Sequence, residues 1–269
     1  MDILAFFRWD MSPEIFSFSF ISIRWYGLLY ALTFVVGYQI LLYIFNKEKV
    51  DSKILDSLTI YVILGTIIGA RLGHCLFYDP IYYLSNPIEI IKIWEGGLAS
   101  HGGAIGIILS IWLFTRKHKK NNISMLWILD RLVIVVALGG LFIRIGNFFN
   151  SEIYGIPTNV PWAVIFSLND EIPRHPTQLY EGFVYFIIFL LLFSLYKKTN
   201  LKNIKQGFLF GLFLVLTFTT RFLLEFLKEV QSSFENNMFL DMGQILSIPF
   251  ILIGLFFVFR KNKYTTKDN

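Results

Sequence analysis

Seven apolar stretches, all but a short third one near the length that carries a helix across a bilayer, dominate this chain. Arginines, acids and amides sit inside or at the edges of several of them. Runs of about 20 apolar residues select membrane helices. The short alternating segments of a transmembrane barrel are absent. Charged residues make up 16% of the chain, where an ordinary soluble domain carries about 25%. The expected fold is an all-α polytopic membrane protein, with spans at about 24–45, 57–77, 101–115, 126–149, 178–196, 207–228 and 243–260.

Basic residues predict the orientation. Lys47, Lys49 and Lys53 follow the first span, and Arg116, Lys117, Lys119 and Lys120 the third. Lys197, Lys198, Lys202 and Lys205 follow the fifth, and Arg260, Lys261, Lys263 and Lys267 the seventh. The opposite loops hold mainly Arg8, Lys92, Arg174 and Lys228. The positive-inside rule then places the amino terminus outside and the carboxyl terminus in the cytoplasm. The same rule accounts for the basic run at 116–120 and for the net charge of +5, so no nucleic acid is expected as a partner. The first 22 residues lack a basic start and a continuous apolar stretch, which argues against a cleavable signal peptide. Residues 14–26 alternate as a strand does. Residues 150–176 hold Pro157, Pro161 and Pro173 with Trp162 and Phe166 between them. That composition predicts a small extracytoplasmic cap. No repeat or linker interrupts 1–269, so one integral membrane domain is the simplest organisation.

In that topology the polar residues agree in depth. Tyr26, Arg71, His101, Arg144, Asn147, Gln178, Glu181, Arg221 and Glu225 all fall toward the outer leaflet. An Arg at the centre of a membrane helix costs roughly 2.5–3.5 kcal/mol on insertion scales, and such residues commonly mark sites. Each has a plainer alternative: Arg71 tying loops together, Arg221 and Glu225 closing an i, i+4 ion pair, Asn147 bonding a neighbouring helix. His101 stands between glycine pairs at a helix start, where the dipole disfavours imidazolium. Gly96, Gly97, Gly102, Gly103 and Gly106 permit close approach by a ligand or by another helix. Guanidinium groups bind phosphate through paired planar hydrogen bonds, so a phospholipid is the natural ligand. The chain has no G-x-S-x-G, H-E-x-x-H or P-loop. Its single cysteine, Cys75, lies in an apolar run where burial makes a thiol inert. No His/Asp/Glu cluster has metal-ligand spacing, and no cofactor is expected. An enzyme built this way activates a nucleophile carried by its substrate. The competing class is a transporter or flippase for an anionic lipid or solute, which should place its site near the midplane and show matching halves.

The run Arg144-Ile145-Gly146-Asn147-Phe148-Phe149-Asn150-Ser151-Glu152-Ile153-Tyr154-Gly155 resembles the signature of the prolipoprotein diacylglyceryl transferases. His101-Gly102-Gly103-Ala104-Ile105-Gly106 resembles that family's His-Gly-Gly run. Arg24-Trp25-Tyr26-Gly27, Gly69-Ala70-Arg71-Leu72-Gly73, the block from Arg174 to Glu181 and the block from Arg221 to Phe226 match further segments in order, over roughly 14–260. The resemblance implies seven transmembrane helices in a bacterial plasma (inner) membrane. It implies transfer of the diacylglyceryl group of phosphatidylglycerol to the lipobox cysteine of a prolipoprotein signal peptide. A thioether forms and glycerol phosphate leaves. It implies that Arg144 and Arg221 hold the phosphate; His101 is the candidate base for the thiol. Tyr26, Asn147, Glu152 and Gly155 would shape the headgroup site, with Arg71 among the substrate-binding residues, and Glu225 would orient Arg221. Thr217 and His74 stand where the family pattern has tyrosines.

Overall fold

The computed structural model describes residues 6–18, 21–119, 123–199, 204–229 and 238–261. Lys120, Lys202, Lys263 and Lys267 of the basic clusters lie outside these. The chain divides into two compact units, one formed by Ile40–Ile128 and the other by Met1–Gln39 with Leu129–Asn269.

Among the described residues six helices are long and apolar enough to cross a membrane. They are α1 (Trp25–Lys47), α2 (Ser52–Phe77), α6 (Met125–Phe149), α7 (Thr177–Thr199), α8 (Phe208–Glu225) and α9 (Met242–Phe259). In hydrocarbon every backbone N–H and C=O must be paired internally, which is what makes helices of these runs. This is a multi-pass membrane protein. The expectation of seven spans is therefore met for six. The third stretch is helical as α5 (Ser100–Lys117), but Ser100 and His101 open it, Arg116 and Lys117 close it, and three glycines dilute it, so its apolar length is short.

Within the Ile40–Ile128 unit, α2 and α5 pack antiparallel along a seam of glycines. A Cβ on Gly73 would lie 2.7 Å from the Gly102 Cα, and one on Gly106 would strike the Gly65 carbonyl oxygen and lie 2.9 Å from the Gly69 Cα. Two helices bury little apolar surface relative to lipid, so close backbone contact through small residues supplies their attraction. Short helices α3 (Pro80–Ser85) and α4 (Pro87–Ile91) follow α2.

In the other unit the same device recurs. A Cβ on Gly254 of α9 would meet the Gly211 carbonyl oxygen of α8 at 2.7 Å. Gly139 of α6 faces Thr33 of α1, and Gly140 of α6 accommodates the Tyr185 ring of α7. At one end of this unit Asp130 caps α8, accepting from the Gly207 N–H at 2.6 Å and the Phe210 N–H at 2.9 Å. Two orphan donors of a helix start are thereby satisfied by a neighbouring helix.

The opposite end carries the small cap. Strands β1 (Phe7–Trp9), β4 (Val164–Phe166) and β5 (Pro173–Arg174) form one sheet in the order β1-β4-β5, with β1 parallel to β4. Phe148, Val164 and Phe166 are its buried core, with Trp9 and Tyr154 packed on them. The alternating segment at 14–26 forms an antiparallel hairpin, β2 (Glu14–Phe18) with β3 (Ile21–Arg24). The helix α1 begins at Trp25, directly after it.

Candidate active site

The end of α6 that meets the cap is locally strained. Ser151 and Ile153 adopt φ of 53° and 58°, the left-handed region that costs a residue other than glycine about 1–3 kcal/mol and that a β-branched chain rarely enters. External bonds hold them there. The Gln178 side-chain amide donates to the Glu152 carbonyl at 2.7 Å, the Thr177 hydroxyl to the Ile153 carbonyl at 3.0 Å, and the Asn169 amide to the Ser151 carbonyl at 2.6 Å. The turn presents the Glu152 carboxylate, which accepts from the Asn147 amide at 2.7 Å and from the Asn150 amide at 3.3 Å. Asn147 in turn accepts from Arg144 at 3.2 Å.

Behind this turn lies a buried chain of charges. Arg144 on α6 pairs with Glu181 on α7 at 2.8 Å, and Lys228 pairs with the same Glu181 at 3.0 Å and with Glu225 of α8 at 2.9 Å. The side-chain exposures are 11% for Arg144, 0% for Glu181, 3% for Lys228 and 12% for Glu225. Breaking one partner out of such a buried pair costs about 3–5 kcal/mol. Tyr185 is within electrostatic reach of both Arg144 and Arg221. Arg221 differs from the other cations. Among the described residues it has no hydrogen bond or ion pair, although Glu225 follows it by one helical turn.

Two cavities flank these groups. A polar one of about 290 Å³ is lined by Ser12, Pro13, Glu14, Arg24, Asn150 and Glu152. An apolar one of about 260 Å³ lies between α6 and α7, lined by Leu141, Ile145, Leu179, Gly182, Phe183 and Phe186. Gly182 also faces the Arg144 Cβ, at 3.4 Å from a Cβ built on it. Glu152, linked to Arg144 through Asn147, lines the polar space, and Gly182, next to Arg144, lines the apolar groove.

The family model for prolipoprotein diacylglyceryl transferase matches residues 13–260. A phosphatidylglycerol–prolipoprotein diacylglyceryl transferase of Tolumonas auensis is 49% identical over 92% of this chain and 94% of its own length. Proteins of the same name from Chloroherpeton thalassium and Bacteroides fragilis are 47% and 46% identical, over 98% and 96% of the chain and 97% and 96% of their own lengths. The chain belongs to the prolipoprotein diacylglyceryl transferase family.

Within this diacylglyceryl transferase fold the expected residues fall into two groups. Tyr26, Arg144, Asn147, Glu152, Gly155, Arg221 and Glu225 belong to the unit that carries the cap. Tyr26 packs against Gly146, where a Cβ would lie 2.8 Å from its ring, within electrostatic reach of Glu152 and Arg144. Arg71 and His101 belong to the other unit. Arg71 is buried, and its guanidinium donates to the backbone carbonyls of Glu89, Ile90, Gly96 and Gly97, with the Tyr83 ring 5.2 Å away. That set of bonds is the loop-tying alternative rather than an open anion clamp. His101 is exposed and without a partner among the described residues. The glycines after it serve the neighbouring helix α2. Glu225 turns to Lys228 and not to Arg221.

Gly155 has a backbone task. It bridges Lys228 in antiparallel fashion, its N–H donates to the His175 carbonyl at 2.8 Å, and a Cβ on it would collide with the Leu227 carbonyl oxygen. Gly155→Ala should therefore dislodge the Leu227–Lys228 segment and remove most transferase activity. Transfer rate and thermal midpoint in detergent, measured together, test this. An unchanged rate would mean that the segment can shift at no cost.

Glu181, Tyr185 and Lys228 are the members that motif reading underweighted. Lys228 reads as an ordinary outer-loop cation, and only its burial beside two acids sets it apart. Thr217, where the family pattern has tyrosine, is half-buried, and its hydroxyl is shielded without a partner among the described residues. His74, the other departure, keeps an aromatic role by stacking on Tyr78 at 5.2 Å between ring centres. In the cap the buried Arg174 holds the Asp170 carboxyl below the usual range, and burial lowers the His175 imidazole. Both changes favour the folded cap at neutral pH over acid.

Proposed function

We propose that this chain transfers the diacylglyceryl group of phosphatidylglycerol to the cysteine thiol of prolipoproteins, the first step of their lipid modification in a bacterial plasma membrane. The observation that carries the reading is Arg221, a guanidinium without an acid among the described residues, within electrostatic reach of the same tyrosine as Arg144, in the unit that also carries a polar cavity and an apolar groove. A phospholipid has matching parts: a monoanionic phosphate, a polar headgroup and acyl chains.

In the reaction the thiol sulfur attacks the diacylglyceryl carbon bonded to the phosphate oxygen. The S–C bond forms, the C–O bond breaks, and glycerol phosphate leaves with one more negative charge than the diester carried. Charge grows on phosphate as the bond breaks, and fixed guanidinium donors in a site of low dielectric lower the barrier most there. Arg221 and Arg144 fill this role, with Glu181 holding Arg144 in place. Glu152, braced by Asn147 and Asn150, receives the headgroup hydroxyls together with Tyr26. His101, exposed and without a partner among the described residues, takes the thiol proton as general base. No group of this chain is needed as nucleophile, and Cys75 is buried.

We further propose that α5 is the seventh span and that both compact units form one functional domain. The amino terminus and the cap then face outward and the carboxyl terminus the cytoplasm, as the basic loops predict.

The test is direct. Purified protein given phosphatidylglycerol and a peptide with a lipobox cysteine should yield thioether-linked peptide and one glycerol phosphate per modified thiol. Neither product appearing from authentic substrates would sink the proposal.

A further inference from the structure

Arg221 ought to be neutralised by its own helix. Glu225 stands four residues along α8, and an acid and a base at that spacing are neighbours on a helix surface. The structure turns Glu225 elsewhere, and three features combine to do so. The Lys228 ammonium lies 2.9 Å from Glu225 and 3.0 Å from Glu181. The Lys228 backbone is fixed by its N–H bond to the Glu225 carbonyl at 3.0 Å and by its bridge to Gly155. Gly243, at the start of α9, leaves room for the carboxylate, because a Cβ there would lie 2.5 Å from the Glu225 Cδ. A lysine with a side chain 3% exposed must keep its counter-ions, since an unpaired buried charge costs several kcal/mol. Glu181 is shared between Arg144 and Lys228, and Glu225 belongs to Lys228. Arg221 is the cation left over among the described residues of this cluster.

We propose that Lys228 is a positioning residue that holds Glu225 away from Arg221 and so keeps that guanidinium available for the lipid phosphate. The inference rests on the lipid-transfer reading above. Lys228 touches neither the phosphate nor the thiol in this arrangement. It acts through Glu225. Without its ammonium, Glu225 is a nearly buried carboxylate whose closest remaining cation on its own helix is Arg221. The phosphate must then displace a carboxylate to bind.

The experiment uses the full chain in detergent micelles, with phosphatidylglycerol and lipobox peptide as substrates. Lys228→Met should raise KM for phosphatidylglycerol by about tenfold or more, the scale of a lost charge pair at a binding site, with a smaller change in kcat. Lys228→Arg, which can still bridge both acids, should recover most of the loss. So should the double variant Lys228→Met with Glu225→Gln, because the competing carboxylate is then gone. A merely structural lysine gives a different pattern: removing a second polar partner restores nothing. An unchanged KM in Lys228→Met, or a double variant no better than the single one, overturns the proposal. If Lys228→Met fails to accumulate, Gly243→Ala decides the matter by displacing the Glu225 carboxylate with Lys228 intact. KM should rise there too, and an unchanged KM overturns the idea. Calorimetric titration of the same variants with short-chain phosphatidylglycerol reads affinity without turnover. An inactive parent protein defeats the functional reading alone. Undiminished lipid affinity in Lys228→Met defeats this inference alone.

Discussion

Arg221→Ala should lower kcat/KM for phosphatidylglycerol by about 10²–10³-fold, the range seen when a donor to developing negative charge is removed, while leaving the thermal midpoint close to that of the parent. Arg144→Ala should lose comparable activity and also destabilise the protein. The difference follows from their partners. Arg221 has no acid to abandon among the described residues, whereas Arg144 stands 2.8 Å from a Glu181 that is 0% exposed. Removing Arg144 leaves that carboxylate leaning on Lys228 alone, at a cost of about 3–5 kcal/mol by the usual behaviour of broken buried pairs. Steady-state transfer assays and thermal unfolding in the same detergent separate the two cases. A near-normal rate in Arg221→Ala would remove the phosphate role. An equal fall in thermal midpoint for both variants would mean that Arg221 has a structural partner after all.

The second large effect is expected in the other unit. Gly106→Val should prevent α2 and α5 from packing, because even the first side-chain atom meets the Gly65 carbonyl oxygen, and backbone cannot move aside as a flexible side chain does. Overpacking of a tight contact costs about 1–3 kcal/mol, occasionally more, and a bilayer supplies little hydrophobic drive to absorb it. The extracted protein should lose its sharp size-exclusion peak and unfold at a markedly lower temperature. Ile105→Val, next to it but on the exposed face, is the control and should match the parent. A stable, monodisperse Gly106→Val would show that the seam is looser than its spacing implies.

Much of this architecture is legible in the sequence, for physical reasons that can be named. Bilayer thickness fixes the length of a span, so the expected stretch at 126–149 and the helix Met125–Phe149 agree almost to the residue. The alternation of Glu14–Phe18 is readable because a hairpin has a period of two. The end of α8 is not readable. Apolar residues continue past Glu225 into Phe226 and Leu227, but tertiary bonds to the Gly155 loop terminate the helix there. The site divides in the same way. Residue type and depth bring out Arg144, Asn147 and Arg221, since a charge in an apolar run is costly wherever it points. Which acid each cation takes depends on packing between helices far apart in sequence. So Arg144 and Lys228 both meet Glu181 of α7, and Arg71 gives itself to backbone carbonyls further along the chain.

The bare seam between α2 and α5 also bears on how such a chain can drift. Its attraction is concentrated in a few positions that tolerate nothing larger than a hydrogen. The outward flanks, among them Leu64, Ile68, Leu72, Ile105 and Leu109, are exposed apolar surface, which in a bilayer acyl chains would cover. Aliphatic exchange there should be free, so bacteria with thick, thin, stiff or loose membranes can retune that coat without touching the joint beneath it.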